Sequence, residues 1–287
     1  MKSIVEVIAV RNSHWVGDGF PVRSLFSYQS HGESMSPFLL LDHAGPAEFP
    51  PTEARRGVGP HPHRGFETVT IVYEGEVAHR DTAGHGGTIG PGDVQWMTAG
   101  AGLLHEEYHG DNYRRTGGPF EMVQLWVNLP AEHKMTPPRY QGILSTQVPS
   151  VALPDEAGEA RIIAGDYDGR TGPAKTFTPM QVWDVRLRTG ARFAFPLPEG
   201  WGAGIVVLRG TVQINEDAVA RASEMVVLGR EGKEVRLEAN NEVRLLVLSG
   251  EPIDEPLVGH GPFVMNTVEE IQEAIRDFNS GGFGSFQ

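Results

Sequence analysis

Short runs of β-branched and apolar residues, each closed by a glycine or proline turn, recur along the whole chain, and that rhythm restricts it to sheet. Thr68-Val69-Thr70-Ile71-Val72 runs into Glu74-Gly75-Glu76, and the chain returns through Val77 to Arg80. Branched side chains lose rotamers in a helix and pack well on a pleat. Further strands are predicted over 4–10, 22–28, 38–41, 94–98, 120–129, 181–187, 205–208 and 244–248. In the longest of these, Phe120, Met122, Gln124 and Trp126 share one face, and Val123, Leu125, Val127 and Leu129 the other. Residues 44–60 read as a Pro/Gly-rich loop. The 36 glycines and 21 prolines are spread rather than clustered, which fits many turns and not a disordered tract. Only the end reads as helix: Thr267-Val-Glu-Glu270 is a capping box, and Ile271, Ala274, Ile275 and Phe278 follow at helical spacing.

The plan occurs twice. Arg209-Gly210-Thr211-Val212 matches Glu74-Gly75-Glu76-Val77 at an offset of 135, and Ser223 to Leu228 matches Gly92 to Met97 at an offset of 131. Two successive β-rich copies predict an all-β chain of two similar barrels or sandwiches, since closing a sheet removes its exposed edges. Residues 130–155 are Pro-rich and weakly patterned, so the boundary is expected there, giving domains 1–135 and 136–287 with the helix in the second.

The 287 residues contain no cysteine, which excludes disulfides, thiolate metal sites and thiol nucleophiles. Any metal must use His, Asp, Glu or backbone donors. A net charge of −13 opposes binding to nucleic acid or to anionic membranes. No run of eighteen apolar residues exists, and the first residues carry charge where an export signal would be apolar, so a cytoplasmic protein is expected.

One constellation carries chemistry. His61-Pro62-His63 puts two imidazoles on one side of an extended segment, and His105-Glu106-Glu107 follows through the flexible stretch 99–102. The period of two that pairs His61 with His63 also pairs His105 with Glu107 and turns Glu106 away. Glu67 is the competing carboxylate. A lone HxH is often incidental; a third histidine with a flanking glutamate, both reached through glycine turns, is much more specific. Three imidazoles and one carboxylate suit a borderline divalent ion, iron(II) first, with manganese, nickel, copper, cobalt and zinc fitting the same donors. In the second copy the offset of 135 puts Pro196 and Pro198 at His61 and His63, and the offset of 131 puts Arg236 at His105, while Glu238 matches Glu107. The scaffold repeats and the histidines do not, which points to function rather than folding. His79 is a candidate for lining the cavity, and His109, inward by the same parity, for supporting the ligands.

These strings resemble the cupin motifs, although Arg55 and Gly100 stand where a motif glycine and proline are expected. More specifically, HPHRGFET, PGDVQWMTAG, LHxE, QLWVNL and HGPFVMNT resemble the pirin family along nearly the whole chain. The resemblance implies two tandem cupin-type β-barrels, a bicupin, with a short C-terminal helix. It implies one metal, usually iron, in the first barrel, held by His61, His63, His105 and Glu107, with the second barrel metal-free. It further implies an enzyme similar to quercetin 2,3-dioxygenase, opening a flavonol with O₂ and releasing CO, with Glu107 as the catalytic base at the 3-hydroxyl. Phe66, Trp96, Met97, Phe120 and Trp126 are candidate walls for flat rings. The partners expected are a flavonol and O₂, with the protein a monomer. The alternative that the family offers is a redox-sensitive regulator that binds a protein partner.

Overall fold

The computed structural model describes residues 1–286. It is built from strands with a single well-formed helix, Val268–Asn279, capped by Thr267 and Glu270 as the capping box predicts. Two short helices, Tyr28–His31 and Asp111–Thr116, and the 3₁₀ turns are too brief to leave a periodic signal in the sequence. The expected loop over 44–60 is partly strand: Phe38–Phe49 is one long strand, and Gly57–His63 is another. No helix among the described residues is long and apolar enough to cross a membrane.

The strands form two compact units, each with a seven-stranded and a four-stranded antiparallel sheet. In one unit the four-stranded sheet runs in the order Gly57–His63, Leu103–His109, Val77–Asp81, Gly86–Ile89. In its seven-stranded sheet Phe66–Glu74 is the third strand, between Val94–Thr98 and Gly118–Asn128. In the other unit, Arg192–Pro196, Glu234–Ala239, Thr211–Ile214 and Ala218–Arg221 repeat the first order, and Gly202–Arg209 takes the same third place in the larger sheet. This second unit is filled by an apolar core that includes Trp183, Phe193, Phe195, Leu197, Ile205 and Leu245. The repeat inferred from glycine turns is thus a repeat of sheet order.

The units do not follow the linear division at 135/136. Residues 1–11 and 31–37 belong with 146–252, because Ile4–Ala9 pairs with Glu224–Leu228 as an edge strand. The histidine-bearing unit takes 12–30, 38–145 and the chain from Ile253 onward, including the helix. Its corresponding edge is Arg139–Ile143, paired with Val94–Thr98. A propensity reading cannot show this, since it contains no information about which edge a strand closes.

The chain from Ile253 onward fixes the turns that flank the histidines. Arg64 accepts a backbone bond from Val264 and donates one to Pro262, and its guanidinium meets Asp277 at 2.8 Å and the Ala101 carbonyl at 2.6 Å. The Lys134 ammonium is buried and donates to the Gly65 carbonyl (2.8 Å), Asn128 Oδ1 (2.7 Å) and the Val264 carbonyl (2.9 Å). All three of its protons have acceptors, which a buried cation requires.

Candidate metal centre

The strands Gly57–His63 and Leu103–His109 pair antiparallel, with His61 directly opposite His105 and His63 opposite Leu103. Directly opposed residues present their side chains on the same face. A register shift follows, so that Glu107 stands opposite Val58. The imidazole centroids lie 5.0 Å (His61–His63), 4.1 Å (His61–His105) and 4.7 Å (His63–His105) apart. Ligand atoms of these three lie within 4.8 Å of one another, and so do those of His79, His105 and Glu107.

The predicted residues are therefore brought together, as two triads that share His105. Glu106 points away, as parity requires, and binds Arg80 at 2.8 Å. Glu67 does not compete. It lies on the face of its strand opposite to Thr70, accepts from the Thr98 hydroxyl at 2.6 Å and sits 3.7 Å from Arg139. Burial pushes its carboxyl up to about 7.

The donor chemistry fits a metal. Burial first, then the neighbouring imidazoles, hold His63 and His105 well below the ordinary histidine value, so both are neutral and offer lone pairs. His63 Nδ1 and His105 Nε2 are buried without a hydrogen-bond partner. Unpaired buried polar atoms are costly, and a cation would satisfy them. His61 donates from Nδ1 to the Gly59 carbonyl at 2.9 Å, which leaves Nε2 for a ligand.

The carboxylate is held from the facing sheet. Gln124 Nε2 donates to Glu107 Oε2 at 3.1 Å, and the Thr70 hydroxyl lies 3.3 Å from Oε1 and 2.8 Å from Gln124 Oε1. These contacts show that the two sheets face each other across the site. Sequence reasoning missed Thr70 entirely; the even-numbered face of 120–126 was the signal that could have found Gln124.

His79 takes a larger part than expected. It stands opposite Glu107 and stacks on Tyr140 at 5.2 Å, and Asp81 stands opposite His105. Burial pushes Asp81 up, but bonds from His79 and from the His85 backbone outweigh it and hold the carboxyl below its ordinary value. Burial, with the charges of Glu107 and Asp81, pushes the Tyr140 phenol up to about 12. His109 gives no support to the ligands: it donates to the Gly19 carbonyl at 2.9 Å and stacks on Phe120 at 4.9 Å within an apolar cluster. Of the proposed walls, Phe66 and Trp126 pack on each other and on His63, with Trp126 5.3 Å from the His63 ring. Phe120 belongs to the His109 cluster, and Trp96 lies on the outer face with Glu67. Met97 packs with Ala99, Leu103 and Tyr140.

The ladder also corrects the alignment of the two copies. In the second barrel Ala194, Pro196 and Arg236 lie on the exposed face, and the inward positions of that strand pair are Phe193, Phe195, Val235 and Leu237, all part of the apolar core. No imidazole is restored.

Two barrels of one plan, one of them carrying a cluster of buried histidines, make this a bicupin. The family model described as Pirin matches residues 19–127, and the Pirin C-terminal cupin domain matches 182–284. The chain belongs to the pirin family. It is 60% identical over 283 residues to a Pseudomonas aeruginosa protein provisionally named a quercetin 2,3-dioxygenase, covering 99% of each. It is 39% identical to human Pirin over 262 residues, 88% of this chain and 84% of that one. A crystal structure of quercetin 2,3-dioxygenase from Acinetobacter baumannii matches at a TM-score of 0.98 and 52% identity, covering all of both chains.

Proposed function

We propose that this protein is a metal-dependent dioxygenase of flavonols such as quercetin, opening the central ring with O₂ and releasing CO. The observation that carries the reading is the imidazole trio, with the unpartnered buried nitrogens of His63 and His105, beside a carboxylate clamped by Gln124. The relatives named quercetin 2,3-dioxygenase supply the substrate class. His61, His63, His105 and Glu107 would hold one divalent ion. Iron(II) is our choice; manganese, nickel, copper, cobalt and zinc satisfy the same donors. When bound, such an ion supplies a Lewis acid that favours the ionised form of a substrate hydroxyl. Glu107 accepts the proton of the 3-hydroxyl at Oε1, the oxygen with the looser protein contact. Gln124 holds the other oxygen and fixes the direction of approach. Phe66 and Trp126 give a flat ring an apolar surface and keep water from it.

The same reading has the protein act as a cytoplasmic monomer, with neither nucleic acid nor membrane as a partner, consistent with its charge of −13. The test is anaerobic loading with iron(II), then addition of quercetin and O₂. One O₂ should be consumed per CO released. His61→Ala and His105→Ala should abolish both metal content and turnover while leaving the unfolding transition intact. Absence of turnover with all of the named metals would overturn the reading. A partner captured in a metal-dependent way would then favour the regulatory alternative.

A further inference from the structure

We propose that Asp81 and His79 form a positioning dyad that fixes which nitrogen of His105 faces the metal and how strongly it donates. This rests on the reading of His105 as a ligand. His105 Nδ1 lies 3.3 Å from His79 Nδ1, and His79 Nε2 lies 3.2 Å from Asp81 Oδ2. Two imidazole nitrogens in contact cannot both present lone pairs, so one of them carries the hydrogen. Asp81 decides which. Its Oδ1 accepts from the backbone N–H groups of Ala83 (2.9 Å) and His85 (3.0 Å), and its Oδ2 faces His79, with His85 Nδ1 at 3.4 Å. An acceptor so placed requires the His79 hydrogen on Nε2. His79 Nδ1 is then bare and accepts from His105 Nδ1–H. The lone pair of His105 is left on Nε2, the one atom of that ring without a partner.

The chain of assignments has a single self-consistent solution, and it ends at the metal. It also removes His79 from the ligand set: although its ring lies close to His105 and Glu107, both of its nitrogens are engaged. His61 reaches the same tautomer through the Gly59 carbonyl. The difference is that His105 is backed by a charge, transmitted through a ring that Tyr140 holds in plane at 17°. A carboxylate behind a ligating imidazole raises its basicity.

The test uses cobalt(II) and the full chain, with affinity read by competition against a chromophoric chelator and geometry by the visible d–d spectrum. Asp81→Asn presents an N–H to His79, which forces the opposite tautomer through to His105. Affinity should fall on the order of 10- to 100-fold, and the spectrum should shift. His79→Leu should fall similarly, whereas His79→Gln, which keeps an acceptor for His105, should recover most of the loss. The iron potential should rise in Asp81→Asn, because the oxidised ion loses the charge behind its ligand. If the wild type binds cobalt and all three variants match it in affinity and spectrum, the dyad is overturned. If the wild type itself binds none, the underlying metal reading fails instead. Should Asp81→Asn not fold, the Leu and Gln variants at position 79 decide alone.

Discussion

At the scale of single residues, the carboxylates divide by what they face. Glu107 is met by an amide and a hydroxyl, Glu106 by arginines, and Glu67 by the Thr98 hydroxyl with Arg139 at 3.7 Å on the opposite sheet face. Glu67 therefore couples stability to pH. Its carboxyl rises from about 4.5 to about 7 on folding, so between those values the native state holds a proton that the unfolded chain has lost. Its contribution is fully present below about 4.5 and is lost as pH rises through about 7. Glu67→Gln should remove that slope. In urea titrations, the wild type should lose up to ~3 kcal/mol more than the variant between pH 5 and pH 8. Equal losses would contradict the assignment. Parity chose Glu107 over Glu106, because a period of two is local, and left Glu67 as a competitor. Thr70 and Asp81 were not legible, because their role depends on which strand lies across from them.

At the scale of elements, the site depends on two turns and the segment that covers them. Gly65 follows the HxH strand with φ +87°, and a Cβ there would sit 2.0 Å from the Val264 carbonyl oxygen. That same carbonyl accepts from Lys134. Gly65→Ala should destabilise the protein by roughly 2 kcal/mol or more, through strained backbone and a displaced 262–265 segment. A midpoint of chemical unfolding unchanged within error would show that the segment yields freely. The strands themselves were well marked by their β-branched runs. The extension of Phe38–Phe49 through Gly45-Pro46 was not, since proline and glycine ordinarily signal a break and here sit inside a paired strand.

For the whole molecule, the repeat was legible because glycine turns repeat, and the interleaving was not. Fragment 1–135 contains every candidate ligand but lacks Arg139–Ile143 and all of the chain from Ile253 onward. It should show no cooperative thermal transition, whereas the full chain should show one. A sharp transition in the fragment would mean that the linear boundary describes a folding unit after all. The placement of Ile4–Ala9 has a further consequence for synthesis. Ile4–Ala9 has its partner at Glu224–Leu228, so it must wait, unpaired, until that segment is made. The unit to which it belongs ends at Pro252, whereas the unit with the histidines needs the last helix. The barrel with the candidate ligands therefore closes only once the segment from Ile253 onward, made after the whole of the other unit, has reached it.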